Sequence, residues 1–531
     1  MPARKSFARS GLLLAVTLAT CRLLSFGKEL FVAAQFGASS AIDAYALGLL
    51  IPAVAMAFFL NAVRRGFLVA APRHETPDQL AAFTNTYIVQ VLGMAGLLAL
   101  AAHIGLPHLW PILLPVERLM PLGQELQRIS TPMAWLVVPT AAVSAFTAIL
   151  NARHQFARPQ WTHALPTLVI LVAILACGPR DGAAILAWSL FAGTSAQAIL
   201  LAVMVRRAGH QFGMSPGALW KTPGGLAAVA LPFLWLDAIG QANVLVDRAM
   251  AGGLPEGRLS VLYWAALGKD FLSGTVVTSV LWVLLPRFSE HVASGDHAAL
   301  RRSCSQVVRT AAMLLAPVSM LALLGGHLLL PLLHFGEIDA RACARIGQAL
   351  GGYAWGLFPE LAGLALAQSL LVQARWNQLA AIGLAGLFLP NILLNWALVG
   401  PLGELGLALA TSLTSCLLLL VSWWGVSRNH GIEDPRGTAL SACRSILIAT
   451  ISGLAGWACH VGVARSLPTG AASDWMASAT GVLSATALFL TMALKWPGHP
   501  DAISGLSHWI SDESKRPPTD NDAPQSQRPP A

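Results

Sequence analysis

Arg22, Lys28 and Glu29 stand inside an apolar run that otherwise reads as a membrane-spanning helix over residues 10 to 36 (SGLLLAVTLATCRLLSFGKELFVAAQF). Lipid holds no water to solvate them, and each charge costs about 2.5–3.5 kcal/mol near the bilayer centre on insertion scales. A chain keeps such residues where they face a wet cavity, a partner charge or a ligand. Arg22 and Glu29 are seven apart and share nearly one helix face, with Ser25 between them; Lys28 points elsewhere, although Gly27 permits a local bend. Further apolar runs carry Asp43, Asp237, Asp247-Arg248, Lys269-Asp270 and Pro359-Glu360. Taken singly, each charge also fits an ion pair that joins two helices. Taken together, Arg22, Lys28 and Lys269 have few acids on their own helices, and they read as a cationic cavity. Guanidinium and ammonium donors hold phosphate well, the first as a fork and the second as a point charge. The chemistry therefore suits an anion carrying a lipid tail.

The elements that must position these charges are membrane helices. The chain has 531 residues, 55% hydrophobic and 11% charged, with mean hydropathy +0.62. Soluble domains carry roughly a quarter charged residues. Apolar runs of bilayer-spanning length recur from end to end, about fourteen of them, so the fold class is an all-α polytopic membrane protein. Alternate loops are basic: Arg64, Arg65 and Arg73, then Arg153 and Arg158, Arg206, Arg207 and Lys221, Arg287, Arg301 and Arg302, and Arg428 with Arg436. The positive-inside rule places these loops, and both termini, in the cytoplasm. The net charge of +9 is then a record of topology, and no nucleic-acid surface is implied. The first run is too long for a cleaved signal peptide and is expected to remain as a helix.

Enzyme signatures are missing. There is no His pair at metal spacing, no Gly-rich phosphate loop and no nucleophile elbow. Seven scattered cysteines suggest no zinc or redox framework. The chain is expected to be no enzyme and to need no cofactor, with Na+ or H+ coupling left open. Residues 106–128 are Pro-interrupted and read as too broken to span, lying at the outer interface. Residues 498–531 are polar and Pro-rich and read as a disordered cytoplasmic tail. Its Asp520-Asn521-Asp522 triplet is better read as solvated charge than as a metal site.

FVAAQFGASSAIDAYALG (31–48) echoes RAMAGGLPEGRLSVLYWAALG (248–268), with Ala33 against Ala251 and Tyr45 against Tyr263. Transporters built from two related halves leave such traces. The expected organisation is an N-lobe over 1–215, a C-lobe over 216–427, a helix pair over 428–497 and the tail over 498–531.

The stretch CRLLSFGKELFVAAQFGASSAIDAYALGLLIP (21–52) resembles the opening of the MurJ/MviN family, part of the multidrug/oligosaccharidyl-lipid/polysaccharide exporter superfamily. VDRAMAGGLPEGRLSVLYWA (246–265), LLPRFSEHVASGD (284–296) and FLPNILLNWALVGPLGELGLALATSLT (388–414) are similar to later helices of that family. The resemblance covers most of the chain up to about residue 425 and implies two six-helix lobes plus a terminal pair. It implies a flippase of the bacterial inner membrane that carries an undecaprenyl-pyrophosphate-linked saccharide, lipid II first, to the outer leaflet. Its partners would be that glycan-lipid, membrane lipids and cell-wall or polysaccharide synthesis proteins. Carried over by position, Arg22, Lys28, Glu29, Asp43, Lys269 and Asp270 would serve the substrate. Asp247, Asn391, Asn395 and Thr411 would serve a monovalent cation.

The chain departs from the family pattern where Met56 and Ala57 replace an expected Arg pair and Leu267 replaces another Arg. That leaves open a flippase for an exopolysaccharide or O-antigen repeat unit. Two other classes stay open as well: a cation-coupled small-molecule exporter, and a scaffold whose charges are only structural pairs.

Overall fold

A computed structural model of the chain describes residues 2–56, 67, 71, 76–153, 155, 157–213, 240–332, 336–468 and 470–495. Arg64, Arg65, Arg73, Lys221, Asp237 and the tail lie outside the described residues. Among the described residues the regular structure is helical. In chain order the helices are α1 (Pro2–Phe36), α2 (Ser40–Gly48), α3 (Leu50–Met56), α4 (Pro77–Leu113), α5 (Val116–Trp135), α6 (Val137–Ala152), α7 (Ala157–Trp161), α8 (Ala164–Cys177) and α9 (Ala183–Arg207). After α10 (240–252) come α11 (Arg258–Ala293), α12 (His297–Leu328), α13 (Ala340–Ala354), α14 (Leu357–Val372), α15 (Trp376–Ala381), a π-helix (Ile382–Phe388), α16 (Leu389–Leu402), α17 (Glu404–Asn429), α18 (Pro435–Ser466) and α19 (Ala471–Lys495).

Among the described residues, ten helical stretches are long and apolar enough to cross a bilayer. With α1, the α2–α3 rod, α10 and α11, they accord with the expectation of about fourteen. α1 runs unbroken through Gly27.

Residues 106–128 differ from their sequence reading. α4 continues through Pro107 and Pro111 to Leu113, and α5 starts at Val116. Proline forfeits one helical hydrogen bond, and here packing offsets that loss. Leu106, Trp110 and Leu114 are buried in one cluster with Leu122, Leu126 and Ile129. The Trp110 indole N–H donates to Ser130 Oγ at 3.2 Å.

Apolar packing divides by position along the bundle. One cluster draws on α1, α2, α4, α5, α11, α13 and α17, gathering Ile42, Leu47, Leu114, Ile129, Leu259, Leu262, Tyr353 and Leu407. It sits at the end where α1 finishes and α11 begins, called here the closed end. Toward the other end the packing splits. Tyr87, Phe146, Leu150 and Leu201 form one cluster, and Leu284, Phe288, Leu300, Leu361 and Leu418 form another. α12, α18 and α19 share a fourth, around Met320, Leu324, Ile448 and Phe489. Lipid gives helices little hydrophobic reason to associate, so close approach through small residues takes over. Gly326 of α12 and Gly347 of α13 show this, since a Cβ on Gly326 would lie 2.7 Å from the Gly347 carbonyl oxygen.

Candidate functional site

The charged first helix lies along α11. The Tyr263 hydroxyl donates to Glu29 Oε2 at 3.4 Å. One turn further down α1, Phe26 stacks on Phe271 with ring centroids 4.1 Å apart. Another turn on, Arg22 reaches α11 where it has no side chain: a Cβ on Gly274 would lie 3.7 Å from Arg22 Nη1. Residues 263, 271 and 274 of α11 thus present one face to residues 29, 26 and 22 of α1. The sequence reading that put Arg22 and Glu29 on one face is what this seam requires. Lys28 differs from its reading: it is buried, and its ammonium curls round to Glu29 Oε1. Adjacent helical residues do not ordinarily face each other. The long Lys stem makes the reach, because an unpaired ammonium in lipid costs more than the bent side chain.

On the same stretch of α11, Lys269 Nζ lies 2.9 Å from Glu360 Oε2 and 4.0 Å from Asp270 Oδ1. It also sits 5.8 Å over the Tyr353 ring. Asp270 is within electrostatic reach of Lys269, Glu360, Arg248 and Arg22. Its side chain is 70% exposed, well inside a membrane-length helix, and a carboxylate so placed faces a wet gap. The cations Arg22, Lys28, Arg248 and Lys269 therefore meet the carboxylates Glu29, Asp247, Asp270 and Glu360. The sequence alone suggests a cationic cavity because it counts acids on the same helices. Two of the balancing acids, Asp247 and Glu360, arrive from α10 and α14.

Asp247 of α10 belongs to a second group. Asn395 Nδ2 donates to Asp247 Oδ1 and to Asn391 Oδ1 at 2.8 Å. The Thr411 hydroxyl lies 3.4 Å from Asp247 Oδ2. Asn391 and Asn395 are buried, one turn apart on α16 and directly after the π-helix. Buried Asn395 Oδ1 has no hydrogen-bond partner, and a turn of that amide would aim it at Asp247's surroundings. Among the described residues no three His, Cys, Asp or Glu side chains gather as a metal group. This oxygen set fits a hard monovalent ion better than a transition metal.

Asp43 stands apart from both groups, at the closed end. It is fully buried, and its carboxylate caps α11 from 214 residues away. Gly257 N donates to Oδ2 at 2.9 Å and Ser260 N to Oδ1 at 2.7 Å, with Ser260 Oγ at 2.5 Å from the same oxygen. Gly257 has φ +77° and presses on the Ala38 carbonyl, so a Cβ would fit neither its backbone nor the space. The two segments that echo in sequence thus meet here, turn against turn. Arg248 Nη1 donates to Ala46 O at 2.9 Å, and Ser40 N donates to Glu256 Oε1 at 3.2 Å. Nearby, Arg258 and buried Glu404 pair at 2.5 Å.

Beside α14, an apolar groove of about 590 Å³ is lined by Met320, Leu324, Trp355, Phe358, Leu420 and Trp457. Pro359 also lines it, and the next residue is the Glu360 that holds Lys269. Sequence reasoning noted Glu360 as a buried charge and gave it no role; only its position, one residue past a Pro at a helix start, hinted at a functional break. Tyr263 and Gly274 carried no signal as seam residues.

Charges gathered inside a bundle that is joined at one end and divided at the other, next to an apolar groove, define a polytopic membrane transporter. The family model described as Lipid II flippase MurJ matches residues 32–466, and the chain belongs to that family. The probable lipid II flippase MurJ of Synechocystis sp. is 25% identical over 478 residues, covering 85% of this chain and 87% of that protein. The lipid II flippase MurJ of Burkholderia cenocepacia is 22% identical over 437 residues, 78% and 82% of the two chains. Among solved structures, a lipid II flippase MurJ in an inward closed conformation superposes with TM-score 0.72 at 15% identity, over 95% of this chain and all of that one. An inward-facing multidrug transporter of the MATE family gives TM-score 0.62 at 12% identity, over 77% and 94%. These two likenesses bear on fold alone. With ten membrane-length apolar helices among its described residues, this member of the family is a multi-pass protein of the bacterial inner membrane.

Proposed function

We propose that the chain is a flippase for lipid II, the undecaprenyl-pyrophosphate-linked precursor of peptidoglycan, moving it from the inner to the outer leaflet by alternating access. Family membership supplies the substrate class. The observation that carries the reading to particular residues is the α1–α11 seam, which brings Arg22 and Lys269 together around Asp270, with Lys28 paired to Glu29 further along α1. In this reading the diphosphate binds Arg22, Lys28 and Lys269, with Glu29 and Asp270 orienting them. The polyprenyl tail runs along the apolar groove beside Pro359. The N-lobe (1–215) and C-lobe (216–427) rock against each other, and the helix pair 428–497 flanks the groove. Both termini are cytoplasmic, which makes the closed end the outer one. Asp43 serves the cycle there by latching α11.

Asp247, Asn391, Asn395 and Thr411 take a monovalent cation, Na+ first, whose inward movement resets the lobes. A charge crossing the membrane gains about 2.3 kcal/mol per 100 mV. The site has its own test in a thermal-shift titration with NaCl against KCl. Sodium raises the unfolding midpoint of the wild type through a stabilisation of RT ln(1 + [Na+]/Kd), about 2.7 kcal/mol at a hundredfold excess over Kd. Asp247→Asn removes the sodium response and leaves the midpoint in KCl within a few degrees; an equal response in both proteins would remove the ion from this site. For the substrate site, Arg22→Ala is expected to abolish growth support in cells depleted of their resident flippase while the protein still reaches the membrane. Full support by Arg22→Ala would exclude the proposed head-group site.

A further inference from the structure

Lys269 is one of three cations assigned to the diphosphate, yet a carboxylate already occupies it. Glu360 Oε2 lies 2.9 Å from Lys269 Nζ, with side-chain exposures of 30% and 15%. Lys28 is held in the same way by Glu29. A diphosphate entering this cluster meets acids at contact distance, and like charges brought together in a half-dry site repel strongly. Some carboxylate must move aside.

Glu360 is built to do so. It lies in the first turn of α14, following the break at Trp355-Gly356, and its backbone N–H bonds back to Gly356 O at 2.9 Å. The positive end of α14 is therefore within reach of its side chain and offers it a second resting place. Glu29, by comparison, has Tyr263 as a second partner and lies toward the C-terminal end of α1. Lys269 also keeps a contact of its own in the Tyr353 ring, so it stays in place when its counter-ion leaves.

We propose that Glu360 is a displaceable counter-ion: the diphosphate head group exchanges with it on Lys269 during binding, and Glu360 returns to Lys269 to expel the head group on the far side. This rests on the flippase reading above and names a residue that sets head-group affinity and release. Glu360 acts through Lys269 and is a positioning residue, not a ligand. No covalent bond changes; one ionic partner replaces another.

The test is calorimetric titration of the purified full-length protein with farnesyl diphosphate, a soluble diphosphate with a short isoprenoid tail, alongside farnesol as the uncharged control. Removing the competing charge in Glu360→Gln is expected to tighten farnesyl diphosphate binding about tenfold while slowing lipid translocation in vesicles. Glu360→Asp, which keeps the charge, is expected to bind like the wild type. In a Lys269→Met background, Glu360→Gln is expected to change nothing, because the effect passes through Lys269. A merely structural Glu360 would weaken binding and transport together. If the wild type binds, Arg22→Ala does not, and Glu360→Gln binds equally or more weakly, the counter-ion role is overturned and the flippase site stands. If the wild type binds farnesyl diphosphate no better than farnesol, both fall together.

Discussion

Replacing Asp43 by Asn changes one buried acceptor group and almost no volume. In the closed end its two oxygens accept from Gly257 N, Ser260 N and Ser260 Oγ. Asn has a single acceptor oxygen and no charge, so at least one of the N–H groups at the start of α11 loses its partner and the others lose charge assistance. A lost cap costs about 1 kcal/mol, and a hydrogen bond to a charged group contributes about 1.5–3 kcal/mol. The two together come to about 2.5–4 kcal/mol, so the equilibrium between the closed and open forms of that end moves by about 60- to 700-fold, at 1.4 kcal/mol per factor of ten. The shift favours the open form because these bonds join α2 to α11 only when that end is shut. Spin labels on Glu117→Cys and Arg341→Cys, both exposed at the closed end on opposite halves, read the separation directly in a background lacking the seven native cysteines. The wild type is expected to give one short distance. Asp43→Asn is expected to add a longer population, with reduced translocation. A single unchanged distance in a folded Asp43→Asn protein would refute the latch.

The other expectations concern charge in different settings. His430 lies just after α17, with Gln373 Nε2 2.9 Å from its Nδ1 and Cys304 Sγ 3.6 Å from its Nε2. Burial first, then His297, Arg301 and Arg375, push its pKa down to about 4 from 6.5. The unfolded state therefore binds the extra proton, and the stability His430 contributes is complete above pH 6.5 and lost as pH falls toward 4. Hydrogen exchange across residues 429–437 should accelerate from pH 6.5 to 4.5 beyond the intrinsic pH effect, and His430→Gln should flatten that response. The sodium response of Asp247→Asn and the tighter diphosphate binding of Glu360→Gln probe the two halves of the charge cluster by separate readouts, although both carboxylates act on Lys269.

How much of this was legible in the sequence depended on the range of each interaction. The helices were readable because lipid demands long apolar runs, and Arg22, Lys28 and Glu29 because lipid punishes charge. The shared face of Arg22 and Glu29 followed from helical geometry alone. The α4–α5 corner was misread because Pro107 and Pro111 weigh heavily in local propensity, whereas Leu106, Trp110 and Leu114 bury their side chains against α5. The Lys269–Glu360 pair spans 91 residues and the Asp43 cap 214; no local pattern encodes either. A cavity read as cationic from one helix at a time became a balanced one when α10 and α14 brought their acids.

The central claim is that Arg22 and its neighbours carry a diphosphate head group across the membrane. The most direct measurement is translocation of fluorescent lipid II in proteoliposomes, scored by the fraction that becomes accessible to a membrane-impermeant quencher on the far side. The wild type is expected to move lipid II well above protein-free vesicles, and folded Arg22→Ala to fall to the protein-free level. Translocation by Arg22→Ala at the wild-type rate, or none by the wild type itself, would contradict the account.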